Sequence, residues 1–338
     1  MLSGGNMEKI INKLNGVALI ANDKKINKII VNGYDNFAKK TMHTEDSNFW
    51  ICSISKMFNA IAINQLAEAG KLKKTDLISK YIKDYFKDEE ITIYHLLTHT
   101  SGIPNLVMYK KEIPWDKNNT AEHILKTIEN KGLKFKVGTK WQYSNSGYYI
   151  LALIVEQLSG MKYEDYIRKY IFDVAEMKNT SFVGLDELKI VSPNIKDLES
   201  DAKFHYSLLF GAGDIVSNVK DLYKFAKAII DGKLIKKETL KEMSIPVFKD
   251  KKLKYGEGLF LNNNFETSMI GHSGSIPIGY STELSIYPEK NLITIVLTNN
   301  RKMIHPLVYP DANGKYIDSC LGESILGKKV SLIKKAYL

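Results

Sequence analysis

The sequence predicts an α+β fold in which one sheet is built from both ends of the chain and a mostly helical part is inserted between them. Strand-like runs stand near the start, GVALIAND at 16–23 and INKIIVNGYD at 26–35. Three more, YGEGLFL, TELSIYP and LITIVLTN, follow residue 254. The stretch between these two groups has helical patterns. Strands at both ends around a helical middle favour a single sheet completed by the two termini.

Helices are predicted from apolar periodicity and from their stop signals. The run after Ser53 is apolar on most faces up to Gly70, which predicts a buried helix. Gly160 and Gly232 stand where glycine commonly ends a helix. The other predicted helices are MEKIINKLN at 7–15, AEHILKTIEN at 121–130, GYYILALIVEQLSG at 147–160, YEDYIRKYIF at 163–172, VKDLYKFAKAIIDG at 219–232 and KYIDSCLGESIL at 315–326.

Composition narrows the class of protein. Hydrophobic residues make up 44% of the 338 residues and charged residues 25%, which is typical of a soluble globular chain. No apolar run approaches the roughly 20 residues of a membrane span, and the first residues lack the apolar core of a secretory signal. We therefore expect a cytoplasmic protein without a membrane span, unless a leader has been removed. The net charge of +10 is spread along the chain and accompanies no nucleic-acid-binding motif, so no nucleic-acid partner is expected.

Cysteine and histidine patterns give no sign of a metal or cofactor. Cys52 and Cys320 are far apart in sequence, so both are expected to be free thiols, with Cys52 packed in the core. His95 and His99 have the i, i+4 spacing of a helical metal site, but leucine at position 96 replaces the glutamate of H-E-x-x-H. We interpret both histidines as structural and expect neither metal nor cofactor.

The first candidate for chemistry is Ser53-Ile54-Ser55-Lys56. At the start of a helix, residues three apart lie on one face, so Lys56 would stand beside the Ser53 hydroxyl. A buried lysine with a lowered pKa can take a proton from serine. The spacing alone is weak evidence, since S-x-x-K occurs elsewhere in this lysine-rich chain, but only this copy opens a long apolar helix.

Two further segments carry polar residues of catalytic type. Tyr143-Ser144-Asn145 precedes an apolar helix, and a helix cap at Ser144 or Asn145 would explain it equally well. The second segment, IGHSGS, nearly spells the G-x-S-x-G of α/β-hydrolases, with Ser273 as its serine. A nucleophile elbow requires a helix after the serine, whereas strand-like runs follow here. We therefore do not expect Ser273 to be the nucleophile.

Taken together, S-I-S-K at 53–56, Y-S-N at 143–145 and H-S-G at 272–274 resemble, in order and approximate spacing, the motifs of penicillin-recognising serine hydrolases. The closest resemblance is to the branch that contains class C β-lactamases, D-alanyl-D-alanine carboxypeptidases, D-aminopeptidases and related esterases. Intervening stretches agree, among them ITIYHLLTHTSGIP at 91–104 and GAGDIVSNVKDLYKFAKAI at 211–229. The resemblance implies an α/β sandwich with an antiparallel sheet, in one catalytic domain. Its sheet subdomain would be about 1–60 plus 255–338, and its helical subdomain about 61–254.

The resemblance also implies roles for individual residues. Ser53 corresponds to the acylated nucleophile, with Lys56 and Tyr143 as its partners in proton transfer; which of these two is the strict general base stays open. The backbone N–H groups of Ser53 and Ser275 would form the oxyanion hole. The residues expected to bind substrate are Asn145, His272, Ser273 and Gly274.

One departure from the class C pattern bears on substrate. His272 stands where class C β-lactamases carry lysine, which weakens any fixed cation facing a substrate carboxylate at neutral pH. We therefore expect an acyl-enzyme at Ser53 that is formed from an amide or ester, such as a D-amino-acid peptide or a small ester. A true β-lactamase and a catalytically weak penicillin-binding module remain alternatives. The partner is a small molecule or peptide, and a monomer is favoured.

Overall fold

The computed structural model describes residues 15–185, 188–193, 205–248, 254–262, 268–276 and 279–300. Two of the predicted helices, at 7–15 and 315–326, and also Cys320, lie outside these residues or at their very edge. The described strands are β1 Gly16–Ala21, β2 Ile26–Asn32, β3 Tyr34–Asn36, β4 Thr41–Met42, β5 Phe49–Trp50, β6 Ser181–Phe182, β7 Ile215–Ser217, β8 Lys254–Tyr255, β9 Phe260–Asn262, β10 Met269–Ile276, β11 Tyr280–Tyr287 and β12 Leu292–Thr298.

A seven-stranded antiparallel sheet forms the centre of the fold, in the order β2-β1-β12-β11-β10-β9-β8. The pairing of β1 with β12 joins the two ends of the chain, with Gly16 opposite Thr298 and Ala21 opposite Ile293. Every residue of β1 from Val17 to Ala21 is buried, as expected for a central strand covered on both faces. The prediction of an α+β fold with a sheet built from both ends is therefore confirmed.

Helices fill the middle of the chain and pack on this sheet. The helix α6 contacts β1 and β12, whereas α1 packs against α4 and reaches β10. The described α-helices are α1 Ser55–Glu68, α2 Ile93–Leu97, α3 Ala121–Asn130, α4 Asn145–Ser159, α5 Tyr163–Ile167, α6 Val219–Ile230 and α7 Lys237–Met243. Buried side chains surround α1 on nearly every face, as its sequence predicts. Gly160 and Gly232 have the positive φ angles expected of residues that end helices.

Two features differ from the sequence-based prediction. The run at 255–261 is not one strand, because β8 and β9 form a hairpin around a turn in which Gly258 has a φ of +72°. A Cβ at Gly258 would lie 2.4 Å from Cβ of Ala60 on α1, so the turn packs directly on that helix. In addition, β5, β6 and β7 form a small second sheet that the sequence did not predict. Within the described ranges no helix is both long and apolar enough to cross a bilayer.

Candidate active site

Ser53 lies where a short 3-10 turn, Cys52–Ile54, runs directly into α1. Cys52 has a φ of +53°, a left-handed conformation that costs a non-glycine residue about 1–2 kcal/mol. Its thiol is fully buried and donates to the carbonyl of Trp50 at 3.3 Å. Burial raises the pKa of the Cys52 thiol, which makes it an inert packing group. Ser53 itself remains half-buried at the start of the helix.

The segment before Ser53 is held from two sides. The amide of Ile51 donates to the carbonyl of Ile215 at 3.0 Å, and the hydroxyl of Thr282 on β11 donates to the Ile51 carbonyl at 2.7 Å. Gly274 on β10 lies against the same segment: a Cβ there would lie 2.5 Å from the Ile51 oxygen and 2.8 Å from Cβ of Cys52. Only glycine permits this close approach of β10 to the turn that carries Ser53.

Replacing Gly274 with alanine is expected to lower kcat/KM for the expected amide or ester substrate by about 10- to 100-fold. The added methyl group must push the turn that carries Ser53 away from β10. The free energy of unfolding should fall by about 1–3 kcal/mol, as for other overpacked sites. Steady-state kinetics and urea denaturation measure the two effects. Gly147→Ala is the control, since a Cβ there meets only ordinary contacts at 3.4 Å or more. Unchanged activity in Gly274→Ala would contradict this role.

The Lys56 amine lies at the centre of the candidate site. It is fully buried one helical turn after Ser53, and its Nζ lies 3.1 Å from Oγ of Ser53. Nζ also donates to Oδ1 of Asn145 at 2.8 Å and to the carbonyl of Ala212 at 2.6 Å. Burial lowers the pKa of Lys56 well below its usual value, although the charge of Asp214 partly opposes this. These contacts fix the amine beside the serine hydroxyl.

Tyr143 and Asn145, 87 or more residues after Lys56 in sequence, lie beside it in the fold. Nζ of Lys56 stands 4.8 Å from the centre of the Tyr143 ring, which is 8% exposed. Asn145 is the first residue of α4, and its Nδ2 donates to Oδ1 of Asn105 at 3.2 Å. Ser144 is the N-cap residue of α4, as the alternative interpretation expected, although its side chain makes no capping hydrogen bond.

His272 is a buried, neutral imidazole. Its Nδ1 lies 2.6 Å from the carbonyl oxygen of Ser273, which can only accept, so this nitrogen carries the proton. Nε2 lies 3.2 Å from the hydroxyl of Tyr255 and therefore accepts from it. Burial, reinforced by the charge of Lys56, lowers the pKa of His272 to about 3. At neutral pH this position supplies no positive charge.

Ser273 and Ser275 lie on β10, where alternation puts their side chains on the face opposite Gly274. The strand passes by a hairpin into β11, pairing Ser275 with Ser281. A nucleophile elbow requires a turn from a strand into a helix directly after the serine, whereas Ser273 lies within a strand that is followed by another strand in the described residues. Oγ of Ser275 is buried and has no hydrogen-bond partner in the described residues. Because Gly274 contacts the turn that carries Ser53, β10 borders the candidate active site on the side that faces this turn.

The positions of two aromatic side chains at the site, His99 and Tyr255, were not predicted from the sequence. The ring of His99 lies 4.4 Å from that of Tyr143 and 4.9 Å from that of Tyr255. Its Nδ1 accepts from the amide of Ser144 at 3.2 Å, while Nε2 has no hydrogen-bond partner among the described residues. Residue spacing carried no signal for these contacts, since α4 and β8 approach His99 only in the fold. Among the described residues, no three histidine, cysteine or acidic side chains are grouped so that they could hold a metal.

The buried histidines predict that acid destabilises the protein. Burial lowers the pKa of His43 to about 4, that of His272 to about 3 and that of His99 well below 6.5. These rings take up protons on unfolding, so His43 and His272 each cost about 2 kcal/mol of stability between pH 7 and pH 5, and His99 acts in the same direction. Asp214 acts in the opposite direction, because burial raises its pKa to about 7 and the folded state then binds a proton on acidification.

We therefore expect the free energy of unfolding to fall by roughly 1–3 kcal/mol from pH 7 to pH 5, because the buried histidines outweigh Asp214. Urea denaturation followed by tryptophan fluorescence at both pH values measures this change. His43→Phe should remove about 2 kcal/mol of the dependence, since phenylalanine keeps the stacking on Phe49 without a titrating group. Equal or greater stability at pH 5 would contradict the expectation.

Comparisons with known proteins identify the family of this chain. The family described as Beta-lactamase matches residues 7–313. The putative penicillin-binding protein PbpX of Bacillus subtilis is 33% identical over 262 residues, which cover 73% of this chain and 62% of that protein. This chain thus spans less than two thirds of that relative's length.

Solved structures are similar over most of the chain. The octameric penicillin-binding protein homologue from Pyrococcus abyssi is 29% identical, with a TM-score of 0.77 over 88% of this chain and 74% of its own. The D-amino acid amidase from Ochrobactrum anthropi SV3 is 23% identical, with a TM-score of 0.80 over 98% of this chain and 99% of its own. At that identity the amidase shows the shared fold. The family resemblance inferred from the three motifs is confirmed, and the chain belongs to the beta-lactamase family, a family of serine hydrolases that includes penicillin-binding protein relatives.

Proposed function

We propose that the protein is a serine hydrolase that forms an acyl-enzyme at Ser53 and acts on amides or esters, with D-amino-acid amides, short D-peptides and small esters as its substrate class. The observation that carries this proposal is the buried Lys56 amine 3.1 Å from Oγ of Ser53. A lysine buried without a carboxylate in contact is costly, and such perturbed groups are concentrated at functional sites.

The hydrogen bonds of Lys56 support its role in proton transfer. A deprotonated amine has two N–H groups and one lone pair. The N–H groups match Oδ1 of Asn145 and the carbonyl of Ala212, which leaves the lone pair directed to the Ser53 hydroxyl. Tyr143, whose ring lies 4.8 Å from Nζ, shares the proton with Lys56 as a coupled pair. Asn145 thereby orients the base.

Acylation then follows the chemistry of activated serines. The Ser53 oxygen bonds to the substrate carbonyl carbon while its proton passes to the Lys56–Tyr143 pair, and the carbonyl oxygen becomes an oxyanion. The amides of Ser53 and Ser275 are the proposed donors to this oxyanion, each contributing about 3–4 kcal/mol to the barrier reduction. The bond to the leaving group breaks as that group receives the proton. Water, deprotonated by the same pair, then attacks the ester bond of the acyl-enzyme. The proton returns to the Ser53 oxygen, and the acyl group leaves as a carboxylic acid.

The neutral His272 supports the choice of substrate class. Both of its ring nitrogens are engaged, by the Ser273 carbonyl and the Tyr255 hydroxyl, and its pKa is about 3. It therefore offers no cation for the carboxylate that penicillins and C-terminal D-alanine peptides carry. Simple amides and esters, and D-peptides whose terminal carboxylate lies away from the bond that is cleaved, do not need a cation at this position. The D-amino acid amidase that shares the fold acts on one such chemistry according to its name.

A substrate panel tests the proposal. The purified protein is assayed with D- and L-phenylalanine amide, a p-nitrophenyl ester and a chromogenic cephalosporin, with Ser53→Ala as the blank for each. We expect kcat/KM for the best D-amide or ester to exceed that for the cephalosporin by at least about tenfold. Faster turnover of the cephalosporin would make the protein a β-lactamase. Acylation by a penicillin without turnover of any substrate would make it a binding module.

A further inference from the structure

A cavity lies in the helical part of the molecule, apart from the groups described above. Its volume is about 280 Å³, and α4, β6 and the segment around residues 206–214 form its walls. Ser53, Lys56 and Tyr143 do not line it. Three carboxylates and four aromatic rings line it: Glu156, Glu164, Asp214, Tyr149, Phe182, Tyr206 and Phe210.

Asp214 lines this cavity, and one oxygen of its buried carboxylate is unsatisfied among the described residues. The residue is 4% exposed, and its Oδ2 accepts from the amide of Gly211 at 2.8 Å. Oδ1 is buried and has no hydrogen-bond partner in the described part of the chain. A buried carboxylate oxygen without a partner is costly, and a cationic donor from outside the protein would satisfy it. Burial accordingly raises the pKa of Asp214 to about 7.

The remaining walls strengthen the negative character of the cavity. Glu164 lies in the first turn of α5, and burial raises the pKa of its carboxyl. Glu156 on α4 accepts the amide of Tyr163 at 2.9 Å through Oε1. No lysine or arginine is among the described residues that line the cavity, although the whole chain carries 48 of them. In a protein of net charge +10 this is a locally acidic pocket.

The aromatic walls indicate what kind of cation fits. The rings of Tyr149 and Phe210 meet at 5.3 Å, and Phe210 also contacts Tyr163 at 5.2 Å. Aromatic faces attract organic cations and receive their apolar parts. A bare metal ion would need several carboxylates converging on one point, and no such group is found in the described residues.

We propose that this cavity binds a small organic ammonium ion, which pairs with the carboxylate of Asp214 and whose apolar part packs against the rings of Tyr149 and Phe210. Binding at this position does not depend on the hydrolase activity proposed for Ser53. Ala212, two residues before Asp214, accepts from Lys56, so the turn that leads to Asp214 also borders the lysine of the candidate active site.

Calorimetric titration of the full chain with benzylammonium tests the proposal. Benzyl alcohol, of nearly the same shape but neutral, should bind at least tenfold more weakly at pH 8. Affinity for benzylammonium should fall about tenfold from pH 8 to pH 6, because Asp214, with a pKa of about 7, is then mostly protonated. The other titratable groups around Asp214 are Lys56 on α1, Glu156 on α4, and Tyr163 and Glu164 on α5.

Three variants locate the ligand. Asp214→Asn keeps an oxygen for the Gly211 amide and should weaken benzylammonium binding at least tenfold, and Glu164→Gln should weaken it about threefold. Asp116→Asn, an exposed change of the same type outside the cavity, should alter the affinity less than twofold. Labelling Ser53 with a fluorophosphonate should also leave it unchanged.

Several results would overturn the proposal. These are equal affinity for the amine and the alcohol, equal affinity at pH 6 and pH 8, an unchanged affinity in Asp214→Asn, or displacement of the amine by the label at Ser53. If Asp214→Asn does not fold, the comparisons of ligand and pH on the unmodified protein still decide the question.

Discussion

Replacing Ser53 with alanine is expected to lower kcat/KM for the best amide or ester substrate by at least about 10⁴-fold. The substitution removes the atom that is proposed to bond to the substrate, so only binding and oxyanion stabilisation remain. The fold should survive, because Ser53 is half-buried and its neighbours Cys52 and Ile51 are held by their own packing and hydrogen bonds. Steady-state kinetics on purified protein, with circular dichroism as the test of folding, gives the result.

Ser55 provides a matched control two residues away. Its hydroxyl donates to the Cys52 carbonyl at 2.7 Å and accepts from the amide of Ile215 at 3.2 Å, so it is a structural serine. Ser55→Ala should lower the free energy of unfolding by about 1–2 kcal/mol while keeping kcat/KM within about tenfold. Full activity in Ser53→Ala, or a 10⁴-fold loss in Ser273→Ala, would contradict the assignment of the nucleophile.

Replacing Lys56 with methionine is expected to lower kcat/KM by about 10²- to 10⁴-fold, the usual contribution of a positioned proton-transfer group. Methionine fills most of the same space but carries no N–H group and no lone pair. Oδ1 of Asn145 and the carbonyl of Ala212 lose their donor, at a cost of about 1–3 kcal/mol each. Relief from burying an amine offsets part of that loss, so folded protein should be recovered.

The pH dependence of kcat/KM distinguishes a role in proton transfer from a structural one. The plot of kcat/KM against pH for the unmodified protein should have a limb that reports the titration of the Lys56–Tyr143 pair. In Lys56→Met that limb should be lost or shifted. Lys220→Met, at a lysine that pairs on the surface with Asp46, is the control and should leave both rate and profile unchanged. A Lys56→Met protein with kcat/KM within threefold of the unmodified one would contradict the mechanism.

Local sequence patterns predicted well those helices and strands whose bounds depend on residues within the same segment. The helix predicted at 121–130 has those bounds in the structure, because the Thr120 side chain accepts from the amide of His123 and begins it. The pairing of β1 with β12 follows from apolar runs at both ends of the chain. Local patterns did not predict elements that form through contacts between distant parts of the chain. The strands β5, β6 and β7, only two or three residues each, are too short for a periodic signal.

The candidate site divides in the same way. The contact between Ser53 and Lys56 follows from one turn of helix, so spacing predicts it. The contact of Lys56 with Asn145 spans 89 residues, and only the family resemblance placed Asn145 at the site. Asp214 was not singled out, since its burial depends on α5 and on the turn at Gly211. Tertiary surroundings of this kind, and the pKa values they produce, have no local sequence signature.

The covalent adduct on the protein tests the central claim most directly. The unmodified chain is incubated with a fluorophosphonate and, separately, with a fluorescent penicillin, then digested and mapped by peptide mass spectrometry. The mechanism predicts a single phosphonyl label on Ser53, absent in Ser53→Ala and formed much more slowly in Tyr143→Phe. A label on Ser273, or undiminished labelling of the Ser53→Ala protein, would contradict it.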